Sequence, residues 1–201
     1  MSDRVIDYFF TVASPWSYFG HRRLREIADR HQAAIALKPV RILEVFNVSG
    51  GLPLGKRAPQ RQAYRLQELR RWSAFLDVPV NQRPKHFPVD DTFANKMIIA
   101  ADRQGADAFG LAYALMQGVW IEEQNVAEPE TLREIALTCG LDAEALVGAI
   151  DDPDIDAALT ANTNEAIGRQ VFGMPTYLLG EEMFWGQDRL DFLDRALAAT
   201  G

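Results

Sequence analysis

The chain has 201 residues and a formal net charge of −7, from 21 Lys and Arg against 28 Asp and Glu, a balance that repels a polyanion and excludes nucleic acid as an expected partner. Hydrophobic residues at 48% and charged residues at 24% give the composition of an ordinary globular protein, with little room for long disorder. Cys139 is the single cysteine, which excludes an internal disulfide and a cysteine-built metal cage; no apolar run is long enough for a bilayer and MSDRVIDYFF lacks the order of a secretion signal, so a cytoplasmic chain without membrane partner or metal is expected.

Residues 5–12, VIDYFFTV, are β-branched and aromatic with almost no polar break, the pattern of a strand buried on both faces. A helix follows to residue 31: Ser14 can cap it, Pro15 fits its first turn, and Phe19, Leu24, Ile27 and Ala28 recur at helical spacing. Residues 34–40, AIALKPV, read as a second strand and complete a right-handed β-α-β unit. The stretch 48–59 is rich in Gly and Pro and reads as a loop. Segments near 61–77, 91–104, 107–123, 130–139, 143–150 and 154–169 then carry apolar residues at helical intervals, as Leu69, Trp72 and Leu76 illustrate, with no strand among them. The end reverts to strand chemistry: MPTYLLG and MFWG form a hairpin about a turn at Glu181 and Glu182, and residues 188–199 close the chain as a helix. Neither end has enough strands to stand alone, so the two must pair in one sheet. The predicted class is α/β: a thioredoxin-like fold with a large all-helical insertion, residues 1–46 and 171–201 forming the thioredoxin-like domain and 47–170 the insertion.

Three places have the right local chemistry for a ligand. Ser14 stands where unpaired N–H groups and the helix dipole favour negative charge, and its hydroxyl can stabilise a thiolate brought by a ligand, although from local sequence alone a capping role is the plainer reading. Pro175 begins a predicted strand, where a cis bond after Met174 would turn the Met174 N–H and C=O outward toward an extended peptide. Gly186, Gln187 and Asp188 open the last helix, where free N–H groups suit a carboxylate and Asp188 an ammonium, or simple capping. All three lie at strand ends and helix starts, where open α/β sheets place ligands. The histidines His21, His31 and His86 are scattered, and surface or cap roles are expected of His21 and His31 rather than metal ligation.

Taken together, DYFFTVASPWSYFG, HFPVDDTFANKM, GRQVFGMPTYLLG and FWGQDRLDFL resemble, in order and spacing, the kappa-class glutathione transferases and the 2-hydroxychromene-2-carboxylate isomerases of the DsbA-like thioredoxin folds. The resemblance covers nearly the whole chain. It implies glutathione as cofactor, with Ser14 as the catalytic residue holding its sulfur, Met174 before a cis Pro175 pairing with the cysteinyl unit, and Gln187 and Asp188 gripping the γ-glutamyl end. Arg61 is the match for the family's basic residue near the glycine carboxylate or the substrate. The kappa-class loop asparagine has no counterpart in GGLPLGKRAP, and Asn47 is displaced from its place.

The resemblance further implies an isomerase that adds the glutathione thiolate reversibly to a conjugated aromatic carboxylate, permits bond rotation and expels the thiolate, in a homodimer. Trp16, Phe87 and Trp120 are candidates for an aromatic wall, with core packing the plainer reading for Trp120, and Lys56, Arg57 or Arg61 for the substrate carboxylate. A kappa-like transferase conjugating electrophiles is the alternative enzyme, and a non-catalytic glutathione or peptide-binding module the alternative class. Thiol-disulfide exchange is set aside, because Ser14 and Ser17 stand where a Cys-x-x-Cys pair would be needed.

Overall fold

β1 (Val5–Phe10) is a central strand, paired parallel with β2 (Ala34–Pro39) across the crossover helix α1 (Pro15–Arg30). The computed structural model describes residues 4–199; residues 1–3 and 200–201, at the outer bounds of the expected thioredoxin-like domain, lie outside them. After β2 come α2 (Ile42–Ser49), α3 (Pro59–Leu76), α4 (Thr92–Arg103), α5 (Ala108–Trp120), α6 (Pro129–Thr138), α7 (Ala143–Gly148) and α8 (Pro153–Gly168). The chain then returns as the hairpin β3 (Thr176–Leu179) and β4 (Glu182–Trp185) and ends in α9 (Leu190–Ala199). Strand order is β2-β1-β3-β4, with β3 antiparallel to β1 and β4 antiparallel to β3, so the two chain ends do build one sheet and the fold is thioredoxin-like with a helical insertion.

Alternation along β1 decides what covers the sheet. Ile6, Tyr8 and Phe10 join a core containing Leu24 and Ile27 of α1, Leu193 of α9 and, without a break, Met97 of α4 and Leu115 of α5. Phe9 points the other way and packs with Val45 of α2, Ala166 of α8, Val171, Met174 and Leu178. Each buried side chain of this size contributes roughly 1.5–3 kcal/mol, which makes β1 the strand both layers depend on.

Where α1 crosses β3 only glycine fits: a Cβ on Gly20 would stand 2.4 Å from Tyr177 Oη and 3.0 Å from Gln187 Cβ. Gly20→Ala is therefore expected to lower stability by about 1–3 kcal/mol through overpacking. A urea midpoint equal to that of the parent chain would show that this contact gives way freely.

Several boundaries differ from those read in the sequence. β1 stops at Phe10, because Thr11 and Val12 leave the sheet for side-chain partners on α4 and its N-cap. Helix α2 runs through Ser49, into the stretch expected to be loop; its Ile42, Val45 and Val48 are strand-favouring types, yet Val45 buries against Phe9 only from a helix. The hairpin turns at Gly180 and Glu181, so Glu182 already belongs to β4, and β3 begins at Thr176 rather than Met174. Pro153 and Pro129 sit in the first turns of their helices, as a missing N–H allows.

His21 is wholly buried, against the surface or cap role expected of it. Its Nε2 lies 2.9 Å from Phe109 O and its ring stacks on Phe109 at 3.8 Å, while Tyr8 Oη is 3.3 Å from Nδ1. A carbonyl can only accept, so Nε2 carries the proton and neutral Nδ1 accepts from Tyr8. Burial lowers its pKa from 6.5 to about 4. His31 does cap α1 and meets Asp194 of α9 at 2.6 Å.

Candidate functional site

The turn from β1 into α1 carries the first element of the site. Ser14 is the N-cap of α1, its Oγ accepting from Ser17 N at 3.2 Å and donating to Met174 O at 3.3 Å. One hydroxyl thus joins the positive end of a helix to the residue before a cis proline, since the Met174–Pro175 bond is cis. The turn itself is held from α4 and its N-cap. Asp91 Oδ2 accepts from Ala13 N at 2.8 Å and from Thr11 Oγ1, and Asn95 Oδ1 accepts from Val12 N at 3.3 Å. Burial raises the Asp91 carboxyl above the usual carboxylate range, opposed by those hydrogen bonds from Thr11 and Ala13.

Across the cis proline, Pro175 O accepts from Gly186 N at 2.9 Å, and this places the start of the last helical segment beside Met174. Gly186 has a φ of 96°, a left-handed conformation open to glycine, and a short 3-10 turn at Gln187–Arg189 follows before α9. Gln187 is nearly fully buried; Arg23 Nη1 donates to its Oε1 at 3.2 Å and to its backbone O at 3.1 Å, fixing the amide.

Two cavities meet here. The smaller, about 250 Å³, is bordered by Trp16, Met174, Gln187 and Asp188, with Glu68 and Trp72 of α3 opposite. The larger, about 650 Å³, runs from Ser14, Trp16 and Met174 past Phe87 and Asp91 to Arg57 and Arg65. Trp16 and Met174 belong to both, so the cavities abut beside Ser14. The larger is of a size that holds a small organic molecule.

Of the residues singled out in the sequence, Ser14, Trp16, Arg57, Phe87, Met174, Gln187 and Asp188 line one cavity or both, and Pro175 is buried behind Met174. Arg61 and Lys56 are exposed and border neither. Trp120 is fully buried in the core, its ring centroid 4.8 Å behind that of Phe87, and does not reach the cavity surface. Sequence reasoning passed over Arg65, Asp91, Glu68 and Trp72. Arg65 follows Arg61 by one helical turn, a spacing that carries the same face, and Glu68 and Trp72 repeat it.

Arg65 is 9% exposed and lies over two rings, 5.1 Å from the Phe87 centroid and 5.6 Å from that of Trp120. Its pKa is pulled down to about 10, first by burial and then by the Arg57 charge. Arg57, whose Nε donates to Leu52 O at 2.8 Å, is likewise lowered by burial and then by Arg61.

Residues 5–198 match the model of the DSBA-like thioredoxin domain, and the chain belongs to that family. Within it, the chain is 31% identical over 196 residues to a 2-hydroxychromene-2-carboxylate isomerase of Sphingobium xenophagum, spanning 96% of this chain and 98% of that one. It is 24% identical over 211 residues to human glutathione S-transferase kappa 1, spanning 96% and 91%. A solved structure of a 2-hydroxychromene-2-carboxylate isomerase superposes with a TM-score of 0.80 at 25% identity, covering 98% of this chain and 95% of that chain. No helix among the described residues is long and apolar enough to cross a membrane.

Proposed function

We infer that this chain is a glutathione-dependent isomerase of aromatic carboxylates of the 2-hydroxychromene-2-carboxylate type. One observation carries the reading: the smaller cavity at Gln187 and Asp188 and the larger one abut beside Ser14, sharing Trp16 and Met174. Glutathione lying along the smaller cavity, with its γ-glutamyl end at Gln187 and Asp188, presents its sulfur to Ser14 and to whatever fills the larger one. The isomerase relatives support the substrate class.

Met174 O accepts from Ser14 Oγ at 3.3 Å. A cysteinyl N–H pairing with that carbonyl would compete for it and leave the serine proton to the sulfur. The hydroxyl and the α1 N-terminus then both favour thiolate over thiol. The thiolate adds to the conjugated carbon, the C=C bond becomes single, and the electron pair moves to the carbonyl end. After rotation the electrons return, the double bond reforms and the thiolate leaves, so glutathione is returned unchanged. The cytoplasm, where glutathione is plentiful, and a homodimer complete the reading, and gel filtration tests the latter.

Incubation with 2-hydroxychromene-2-carboxylate, followed by its ultraviolet spectrum, is the direct test. Turnover is expected only with glutathione present and without loss of free thiol. Isomerisation at the same rate without glutathione would refute the addition step, and stoichiometric thiol loss would favour the transferase.

A further inference from the structure

Among the described residues Arg65 is a buried cation without a counter-ion. No carboxylate lies within ion-pair distance of its guanidinium among the described residues, and its Nη2 is buried with no hydrogen-bond partner. An orphaned guanidinium is costly unless something satisfies it. The acidic groups that share its cavity are engaged elsewhere: Asp91 on Thr11 and Ala13, Asp90 on Thr92 N at 3.0 Å, and Glu44 beside Arg41 at 3.8 Å. Arg57, the other uncompensated cation of that wall, adds to the positive field rather than relieving it.

Chemistry narrows the ligand. The charge lies over the Phe87 and Trp120 rings, which offer it no hydrogen-bond acceptor, and the donors of a guanidinium form a planar fork that matches a planar, two-oxygen acceptor. Arg65 and Phe87 both border the larger cavity, so an apolar wall stands beside the cation. We propose that Arg65, assisted by Arg57, is the anchor for the carboxylate of an aromatic acid in the larger cavity, with the ring system lying between Phe87 and the Ser14 end. This rests on the substrate class inferred above, and it moves the carboxylate contact from the exposed Arg61 and Lys56 to a buried residue one turn further along α3.

Calorimetric titration with 2-naphthoate and its neutral twin 2-naphthamide tests the anchor without chemistry. The parent chain is expected to bind the acid at least about 10-fold more tightly than the amide, the scale of a charge-assisted hydrogen bond. Arg65→Met should bring that ratio to about one while glutathione binding is unchanged, and Arg65→Lys should keep part of it. Should Arg65→Met lose its helical circular dichroism, Arg65→Gln reads the same ratio in a folded chain. A parent ratio near one, or an Arg65→Met ratio equal to the parent's, overturns the proposal. The ratio is measured without glutathione, so a chain that proves not to bind glutathione would defeat the isomerase reading while leaving the anchor to stand or fall on its own.

Discussion

Ser14→Ala is expected to cut glutathione-dependent turnover by about 10- to 100-fold, because a hydrogen bond to an ionised group contributes roughly 1.5–3 kcal/mol and each 1.4 kcal/mol is a factor of ten. The loss should fall on the thiolate fraction and not on assembly of the site. Met174, Gln187 and Asp188 keep their places, since Pro175 O holds Gly186 N and Arg23 holds Gln187 independently of the hydroxyl. Glutathione should therefore bind the variant with little change in affinity below the bound thiol's pKa, and more weakly, by up to the same factor, where the parent's bound thiol is ionised. Part of the substitution's cost is structural, as the cap to Ser17 N disappears with it, at about 1 kcal/mol of stability. Raising the pH separates the two effects. A missing thiolate is restored by alkali and a damaged fold is not, so the variant's rate should approach that of the parent above the thiol's ordinary pKa of about 8.5. A rate ratio constant with pH would assign the loss to structure.

Acidification from pH 7 to pH 4 is expected to remove about 3 kcal/mol of folding free energy through His21 alone. The sign follows from its depressed folded pKa, about 4 against 6.5. Between those values the unfolded chain binds the proton and the folded chain does not. The contribution is complete above pH 6.5 and is lost as the pH falls toward 4. Protonation would also put a second N–H where Tyr8 Oη now donates, in a pocket walled by Phe10, Phe109 and Tyr113. Because His21 joins α1 to the Phe109 carbonyl on α5, the acid transition should begin where the helical insertion meets the sheet. His21→Gln can still donate to that carbonyl but does not titrate. Urea unfolding at pH 7 and pH 4 should show a smaller pH difference for His21→Gln than for the parent, by about the amount above. Equal differences would mean that His21 is not the titrating group.

How much of this could be read from residue order depends on how local each signal is. β1 and α1 were legible because Val5–Phe10 are strand formers and the Ser14-Pro15 start is a local cap. The pairing of the two chain ends followed from counting strands. Ligand-facing positions tied to backbone geometry, Ser14, Met174 and Gln187, were also legible, since a strand end or helix start marks them. What failed depends on distant packing. Arg61 and Arg65 are equivalent by helical spacing, and only the segment around Phe87, brought over α3 by the fold, buries one and leaves the other in water. Trp120 lies behind Phe87 for the same reason. A histidine in a helix carries no mark of burial until α5 is laid across it, and the support Asp91 gives the Ser14 turn joins segments with the whole of β2, α2 and α3 between them.

The charge state of the glutathione sulfur beside Ser14 is read directly by the ultraviolet absorbance of the thiolate when glutathione bound to parent and Ser14→Ala chains is titrated with base. The expected result is a bound thiol in the parent that ionises well below the free value of about 8.5, and one in Ser14→Ala that ionises about one to two pH units higher than in the parent. Coincident titration curves for the two proteins would contradict it.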